Sequence, residues 1–183
     1  MRNKRWEFTG ETKIHFGITL RRIRAAVEFK LKCGIVIAKG ELGGWIEKES
    51  NLSGNAMVFG NAMVFDDAMV YDDAMVYDDA RVYGNAVVYG NAMVYGNAEV
   101  SGNARVCGDA RVKSSKDYCV YKNTWSSFRW FTYTKSNKMW SVGCFYGTGA
   151  ELIAKAYKDS EKSGKCYEAI VKAQEEIEKT MEV

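Results

Sequence analysis

Three arginines within four positions are the residues of this chain best suited to bind a ligand. Arg21, Arg22 and Arg24 lie in a β-branched stretch, and in a strand Arg22 and Arg24 share the face opposite Ile23. Guanidinium groups stay charged and form paired hydrogen bonds with phosphate or carboxylate oxygens. The cluster therefore predicts recognition of an anionic ligand. A solvated strand edge, or ion pairing with acidic residues of the same chain or a neighbour, explains the cluster without a ligand.

A second candidate anion site lies where a predicted strand meets a predicted helix. Gly147, Thr148 and Gly149 occupy that junction, and backbone N–H groups at a helix start can hold a phosphate. A tight turn followed by a capping box, completed by Glu151, accounts for the same residues. Nearby tryptophans offer flat surfaces for a stacked base, or form the compact core of the C-terminal segment. The stacking candidates are Trp130 and Trp140.

Residue types that suit catalysis or metal binding are scarce. His15 is the only histidine, and its place beside Phe16 fits a surface or packed position better than a catalytic base. The five cysteines are scattered without a Cys-x-x-Cys pair, which indicates free thiols in a reducing compartment rather than disulfides or a zinc site. We therefore predict no catalytic residue, no metal and no cofactor. The cysteines are Cys33, Cys107, Cys119, Cys144 and Cys166.

The 183 residues carry a formal net charge of only +3, but the charge is unevenly distributed. Residues 1–50 have a net charge of +5, residues 51–112 one of −5, and residues 113–183 one of +3. Because the net positive charge of the chain is small, we do not expect it to bind nucleic acid strongly. No apolar run approaches the ~18 residues of a membrane span, and the basic N-terminus lacks the apolar segment of a signal peptide. We expect a cytoplasmic protein that does not bind membranes.

A six-residue repeat over residues 54–112 decides the fold class. Six of the ten units begin Gly-Asn-Ala-x-Val, three have Asp-Asp in place of Gly-Asn, and seven units end in Phe or Tyr. Alanine and valine lie two positions apart and share one face of a short strand, while the residues between and after them point away. Gly-Asn or Asp-Asp then turns the chain. A six-residue unit cannot bury its own apolar face, so the units must stack as coils.

This repeat resembles the hexapeptide repeat of left-handed parallel β-helices, in which three units form one triangular coil of 18 residues. The resemblance implies a mainly β protein with about four coils. Ile46 and Leu52 continue the valine positions backwards, so the β-helix is expected over residues 46–112. Residues 1–45 then form an N-terminal β segment and helix cap, in which Trp45 plugs the open end of the coils. Residues 113–183 form a small α+β domain that ends in two helices.

The aromatic residues of the repeat form outward-facing columns, because each residue stacks on the one 18 positions later. Seven of them offer on the order of 1,000–1,700 Å², more than the ~300–600 Å² apolar patch usual on a monomer. Another subunit or the chain's own ends should cover them; a stacking surface for a planar ligand is the alternative. Hexapeptide helices commonly trimerise side by side, which predicts a homotrimer. The predicted interface residues are Phe59, Phe65, Tyr71, Tyr77, Tyr83, Tyr89 and Tyr95.

The paired aspartates of the repeat resemble a calcium-binding pattern but fall on three different corners. Each pair stacks against Gly-Asn of the next coil, so no column of carboxylates forms. A Ca²⁺ ion needs several oxygens at ~2.3–2.6 Å. Turn formation therefore explains the pairs better than a metal site within one chain, and a site between subunits is the alternative. The pairs are Asp66-Asp67, Asp72-Asp73 and Asp78-Asp79.

The two ends of the chain contain further strands and two helices. Near the N-terminus, residues 5–9 alternate as a strand, and Gly10-Glu11 is expected to turn the chain. A hairpin turn is predicted at residues 135–138. The predicted C-terminal strands cover residues 118–122, 127–134 and 139–146. The predicted helices cover residues 148–159 and 165–181, the second with an apolar stripe of Ala169, Ile170, Ala173 and Ile177.

Beyond the repeat, two segments add a second resemblance. Residues 40–47 (Gly-Glu-Leu-Gly-Gly-Trp-Ile-Glu), the Gly-Asn-Ala-x-Val-Tyr units and residues 139–144 (Met-Trp-Ser-Val-Gly-Cys) resemble proteins encoded by bacteriophages and prophages. The likeness covers most of the chain and carries no activity with it. A phage origin, combined with the small, soluble, non-catalytic and oligomeric protein expected here, suggests counter-defence in the cytoplasm of an infected or lysogenic bacterium, by sequestering an anionic nucleotide signal or blocking a host defence protein. The alternatives are an acyltransferase that uses acyl-CoA, with His15 as its only candidate base, and a structural spacer.

Overall fold

The computed structural model describes residues 5–31 and 34–181 of the chain. It confirms the predicted fold class: a mainly β protein with a central β-solenoid of four coils and two C-terminal helices. The left-handed sense of the winding stays a prediction.

The N-terminal strands are β1 (Trp6–His15), β2 (Ile18–Ala25), β3 (Phe29–Lys30), β4 (Val36–Ile37) and β5 (Leu42–Ile46). The solenoid strands are β6 (Met57–Val58), β7 (Met63–Val64), β8 (Met69–Val70), β9 (Met75–Val76), β10 (Arg81–Val82), β11 (Val87–Val88), β12 (Met93–Val94), β13 (Glu99–Val100), β14 (Arg105–Val106) and β15 (Arg111–Val112). The C-terminal elements are β16 (Tyr118–Lys122), β17 (Trp130–Thr134), β18 (Met139–Val142), β19 (Phe145–Gly147), α1 (Gly149–Asp159) and α2 (Glu161–Met181).

Three parallel sheets form the sides of the solenoid. The first sheet has the order β5-β7-β10-β13, the second β8-β11-β14, and the third β6-β9-β12-β15. Ile46 pairs with Val64 and Leu52 with Val70, so both residues continue the valine positions of the repeat. Because three six-residue units complete one turn, equivalent positions of successive coils come into register.

Alanine and valine side chains fill the solenoid interior, where they are fully buried. Burial contributes about 1.5–3 kcal/mol for each valine, so the stacked valines hold the coils together more than any single turn does. The interior leaves no room for a larger residue where β5 joins it. A Cβ on Gly44 would lie 2.6 Å from Cγ1 of Val58, which explains the glycine immediately before Trp45.

Hydrogen bonds between coils close the solenoid corners. The first aspartate of each Asp-Asp pair has a φ of 56–60°, a conformation that glycine supplies at most other corners. Its carboxylate accepts a hydrogen bond from the coil above, as Oδ2 of Asp66 does from the N–H of Gly84 at 3.1 Å. The second aspartate accepts one from the coil below, as Asp79 does from the Asn61 side chain at 3.1 Å. The predicted role of these pairs in turns is confirmed.

The N-terminal hairpin turns at Phe16-Gly17, and the turn predicted at Gly10-Glu11 is wrong. β1 continues through Gly10, whose φ of 94° belongs to an irregularity between Phe8 and Thr12 in the pairing with β2. Phe16 and Gly17 have φ values of 48° and 81°, as a two-residue hairpin turn that matches the strand twist requires. The glycine at position 10 therefore marks a bulge within a strand.

The N-terminal hairpin closes the lower end of the solenoid. β2 pairs with β5, which extends the first sheet beyond the first coil. Trp6, Ile23 and Ala25 join the interior core of the solenoid. The indole N–H of Trp6 donates a hydrogen bond to the carbonyl of Ala56 at 3.2 Å, so this end is closed by both apolar packing and a polar contact.

Trp45 does not plug the open end, and that prediction is wrong. It pairs with Met63, whose position in the repeat points outward, so Trp45 lies on the outer side of the first sheet. There it forms a small separate core with Leu20, Met63 and Phe65. The hairpin thus packs over the outside of the first sheet and also closes the coil end.

The C-terminal unit closes the upper end. Its sheet, in the order β16-β17-β18-β19, lies between the last coil and the two helices. Hydroxyl groups of this unit accept hydrogen bonds from the exposed edge of the last coil. Oγ1 of Thr132 accepts from the N–H of Arg105 at 2.8 Å, and Oγ of Ser136 from that of Arg111 at 2.7 Å. These contacts take the place of the hydrogen bonds that a further coil would make, so the last coil does not present an open sheet edge to other strands.

The C-terminal elements differ from the predicted ones at four points, of which one is that α2 begins at Glu161 and not at residue 165. The second strand begins only at Trp130, and Gly143 divides the third into β18 and β19. The predicted stripe of α2 is wrong apart from Ile170, because Ala169, Ala173 and Ile177 are exposed. The face of α2 that packs against α1 instead contains Gly164, where a Cβ would lie 2.3 Å from the ring of Tyr157. The buried residues of α2 are Ser163, Gly164, Tyr167, Val171 and Gln174.

Candidate functional site

The three arginines of β2 each have a partner in the N-terminal segment or at the start of the solenoid. Each side chain reaches a different group, so the three guanidinium groups do not converge on one point. This arrangement ties the hairpin to the first coil. The partners are Oε1 of Glu7 for Arg24 (2.8 Å), the carbonyl of Glu47 for Arg21 (3.2 Å) and the ring of Trp45 for Arg22 (5.0 Å).

Gly147, Thr148 and Gly149 begin α1 with a closed capping box. The backbone N–H and the hydroxyl of Thr148 donate hydrogen bonds to Oε2 of Glu151 at 2.8 and 2.9 Å. These hydrogen bonds lower the pKa of Glu151. The Glu151 carboxylate therefore occupies the position that a bound phosphate would need, and the junction acts as a helix cap.

The two candidate tryptophans differ in accessibility. Trp140 is buried in an aromatic core with Phe131, so its faces are not open to a ligand. Trp130 is partly exposed, and Nζ of Lys122 lies 5.2 Å from its ring. Both lie in the unit above the last coil, whereas the arginines lie below the first coil. The structure therefore does not bring the predicted ligand-binding residues into one site.

The aromatic columns stack as the repeat predicts, but the chain itself covers part of them. Phe59 packs on Trp6 with ring centroids 5.6 Å apart, and Phe65 is buried under the hairpin. Burial and the neighbouring ring of Tyr95 raise the pKa of Tyr77. The stacked pairs are Phe65–Tyr83 (5.1 Å between ring centroids), Tyr71–Tyr89 (5.0 Å) and Tyr77–Tyr95 (5.2 Å).

The three sides of the solenoid are covered to different degrees. Met57, Met63 and Met69 occupy the same outward position of successive repeats, one on each sheet. Met57 on the third sheet and Met63 on the first are only 5% and 7% exposed, because the N-terminal segment packs over them. Met69 on the second sheet is 47% exposed. The second sheet is therefore the side that the chain leaves most open around this coil.

The comparison with known protein families also indicates a β-solenoid. A protein-family model described as the YdcK beta solenoid repeat matches four overlapping stretches, residues 68–84, 74–90, 80–96 and 88–102. The chain is a β-solenoid repeat protein. The matched stretches lie within the second to fourth coils, and the family description concerns the repeat alone. No curated protein matches the chain.

An exposed apolar tip on this solenoid protein was not predicted from its sequence. Phe16, at the turn of the hairpin, is 86% exposed, and Ile14 beside it is exposed as well. His15 packs against Phe65, the residue before the corner that joins the first sheet to the second. The tip therefore stands at that corner. The only sequence signal for this turn is Gly17 between two strand-like runs, because phenylalanine is not a residue that such turns favour at the first position.

Metal binding has no support within residues 5–31 and 34–181. In this part of the chain, no group of three or more His, Cys, Asp or Glu side chains lies close enough to share an ion. Cys107, Cys119, Cys144 and Cys166 are free thiols, and Cys33 lies outside the described residues. No helix of the described part is long and apolar enough to cross a membrane.

His15 lies where charge is disfavoured. Its ring packs on Phe16 and Phe65, and among the described residues its Nε2 atom has no hydrogen-bond partner. Burial, with the nearby charges of Arg81 and Lys13, lowers the pKa of His15 below 6.5. The neutral ring is a packing group of the hairpin.

The stability of the protein should therefore fall as the pH is lowered from 7.5 to 5. Below pH 6.5 the unfolded chain takes up the His15 proton more readily than the folded protein does, so protonation favours unfolding. We expect the melting temperature of a His15→Gln variant to decrease less over this pH range than that of the wild type. Differential scanning calorimetry at several pH values measures both melting temperatures. Equal decreases in the two proteins would contradict the prediction.

Proposed function

We propose that the protein is a non-enzymatic binding protein whose solenoid associates side by side into a homotrimer. The observation that carries the proposal is the exposure of Met69 on the second sheet, because Met57 and Met63 at the same position of the two preceding repeats are covered; Val87, which stacks on Met69 in the next coil, is buried. Both ends of the solenoid are closed by the chain's own units, so its sides are the surfaces left for association. Methionine and aromatic side chains are enriched in such interfaces.

The hairpin tip supplies the complementary surface. Phe16 and Ile14 stand at the corner next to the second sheet, and in the trimer they pack on Met69 and Tyr71 of the next copy. A contact between two different patches of the same chain is heterologous and closes into a ring when the rotation allows it. The opposite net charges of residues 1–50 and 51–112 favour contact between these segments of neighbouring copies.

The binding role we propose is counter-defence. It is supported by the resemblance of the repeats and their flanking segments to phage- and prophage-encoded proteins. In the cytoplasm of an infected or lysogenic bacterium, the trimer would sequester an anionic nucleotide signal or block a host defence protein. Native mass spectrometry of the protein from phage-infected, defence-competent cells tests this role, because it detects a retained nucleotide or protein partner together with the number of subunits. Recovery from such cells with no added mass of either kind would contradict it.

A Met69→Glu variant should be a monomer. The substitution places a charge at the centre of the proposed interface, where burying an unpaired carboxylate is costly. The fold should tolerate it, because Glu99 occupies the equivalent position of another repeat. We expect the wild type to have the mass of three 20.6 kDa chains by light scattering, and the variant that of one.

The matched control is Ile177→Glu on α2. Ile177 is 49% exposed, close to the value for Met69, but lies far along the chain on the C-terminal helix. This variant should remain a trimer. A monomeric wild type, or a Met69→Glu protein that keeps the wild-type mass, would contradict the proposed interface.

A further inference from the structure

A cavity of about 250 Å³ lies in the C-terminal unit, between its sheet and helix α2. Tyr133, Lys138 and Trp140 line the sheet side, with Gly149 at the start of α1, and one face of α2 forms the opposite wall. This volume is below the range of about 300–1,000 Å³ of sites for drug-sized ligands, so the cavity suits a smaller molecule. The residues of the helix wall are Gln174, Glu175, Glu178 and Lys179.

Two side chains of the helix wall each have one buried polar atom without a partner among the described residues. Oε1 of Gln174 accepts a hydrogen bond from the Tyr121 hydroxyl at 2.5 Å, but Nε2 of Gln174 has no partner. So short a separation fits an O–H···O hydrogen bond better than one with nitrogen, so the amide N–H groups are the free end. Oε2 of Glu178 accepts from the Tyr133 hydroxyl at 3.0 Å, whereas its Oε1 has no partner. A ligand that supplies both partners removes the cost of leaving them unpaired, and the broad terminal torsions of the two side chains let them turn to it.

The cavity also has charges of both signs on its rim. Lys138, in the turn between β17 and β18, and Glu175 on α2 are exposed, and neither has an ion-pair or hydrogen-bond partner in the described part of the chain. Glu175 and Glu178 lie three positions apart and therefore share one face of α2. Burial and the carboxylates of Glu178 and Glu175 raise the pKa of Tyr133 above its ordinary value, because both disfavour a further negative charge at this wall. The acid pair thus attracts a cation, and Lys138 attracts an anion.

The indole of Trp140 adds a neutral donor to the cavity wall. Its faces are packed in the aromatic core, so only the edge of the ring is available to a ligand. Nε1 would lie 3.4 Å from a Cβ on Gly149, and both residues line the cavity. Within the described residues this N–H has no hydrogen-bond partner. An indole N–H donates and cannot accept, so it suits the anionic end of a ligand.

We propose that this cavity binds a free α-amino acid. The ammonium group binds between the carboxylates of Glu175 and Glu178. The carboxylate group accepts hydrogen bonds from Lys138, the indole of Trp140 and the amide of Gln174. An amine alone would leave the donors unpaired, and a carboxylate alone would leave the acid pair without a cation, so the cavity favours a molecule that carries both groups. The site lies in the C-terminal unit, and the inference goes beyond the proposed trimer and counter-defence without depending on either.

Isothermal titration calorimetry of the full chain with each of the common L-amino acids tests the site. At least one of them should bind with a dissociation constant of about 1 mM or lower. The tightest one is then compared with the amine that lacks its carboxyl group and with the acid that lacks its amino group. Each analogue should bind at least tenfold more weakly, because it loses one set of charge-assisted hydrogen bonds.

Two exposed residues of the rim provide variants that should leave the fold intact. Lys138→Gln and Glu175→Gln each remove one charge and keep a polar side chain, and each should weaken binding of the tightest amino acid at least about fivefold. The matched controls are Lys155→Gln on α1 and Glu161→Gln on α2, which remove the same charges from exposed positions outside the cavity. Both controls should bind as tightly as the wild type, and all four variants should keep its melting temperature within a few degrees.

The results separate the cavity from the trimer. The amino-acid site is overturned if the wild type binds none of the amino acids, if either analogue binds as tightly as the amino acid, or if both rim variants bind as the wild type does. A wild-type monomer that binds an amino acid overturns the trimer and supports the cavity. A wild-type trimer that binds none of them supports the trimer and overturns the cavity.

Discussion

Replacing Phe131 with alanine should lower the free energy of unfolding of the C-terminal unit by about 3–5 kcal/mol. The side chain is fully buried between the C-terminal sheet and the helices, so its loss leaves a cavity that the surrounding rings fill only in part. The total stability of a domain is only about 5–15 kcal/mol, so the variant should be close to unfolding. The rings around Phe131 belong to Tyr121, Trp125, Trp140 and Tyr167.

Chemical denaturation followed by tryptophan fluorescence measures this effect, because three of the five tryptophans lie in the C-terminal unit. Phe128→Ala is the matched control. Phe128 is exposed and lies three residues earlier, so its replacement should change the stability by no more than about 0.5 kcal/mol. Equal effects of the two substitutions would show that the aromatic cluster is not the core of this unit.

A chain that ends at Val112 should form large aggregates. Without the C-terminal unit, the N–H groups of the last coil lose the hydroxyl oxygens of Thr132 and Ser136, and the upper end exposes the valine interior. An open, apolar sheet edge recruits further strands. Sedimentation velocity should show particles much larger than those of the full-length protein. A truncated chain with the mass and melting temperature of the full-length protein would contradict the capping role.

A substitution that removes only the hydroxyl group of Thr132 tests the contact with the last coil without removing the C-terminal unit. Thr132→Val keeps the shape of the side chain but removes the acceptor for the Arg105 N–H, which should cost about 1–3 kcal/mol of stability. Thr132→Ser keeps the hydroxyl and is the control, with a smaller loss that reflects only the missing methyl group. The difference between the two variants isolates the hydrogen bond.

The repeat was enough to predict the solenoid and the stacking of its tyrosines. Each unit places alanine and valine on one face, and only coils of three units bring these faces together, so period and register follow from neighbours along the chain. The capping box at Thr148 was equally predictable, because its hydrogen bonds join residues three apart. These features depend on local spacing, which the sequence displays directly.

The ends of the chain were harder to predict, because their positions depend on long-range contacts. Trp45 lies outside the solenoid because the hairpin folds back over the first sheet, and no local pattern records that contact. The buried face of α2 follows from the close approach of Gly164 to Tyr157 on α1. The arginines and the C-terminal tryptophans lie apart because four coils separate the segments that carry them.

The sequence by itself thus determined what lies inside the solenoid, since its interior repeats every six residues and admits only small apolar side chains. Only the tertiary structure decided what covers the outside. Met57, Met63 and Met69 occupy the same position of successive repeats, yet two are buried and one is open. The difference comes from segments distant along the chain that pack over two sides of the prism.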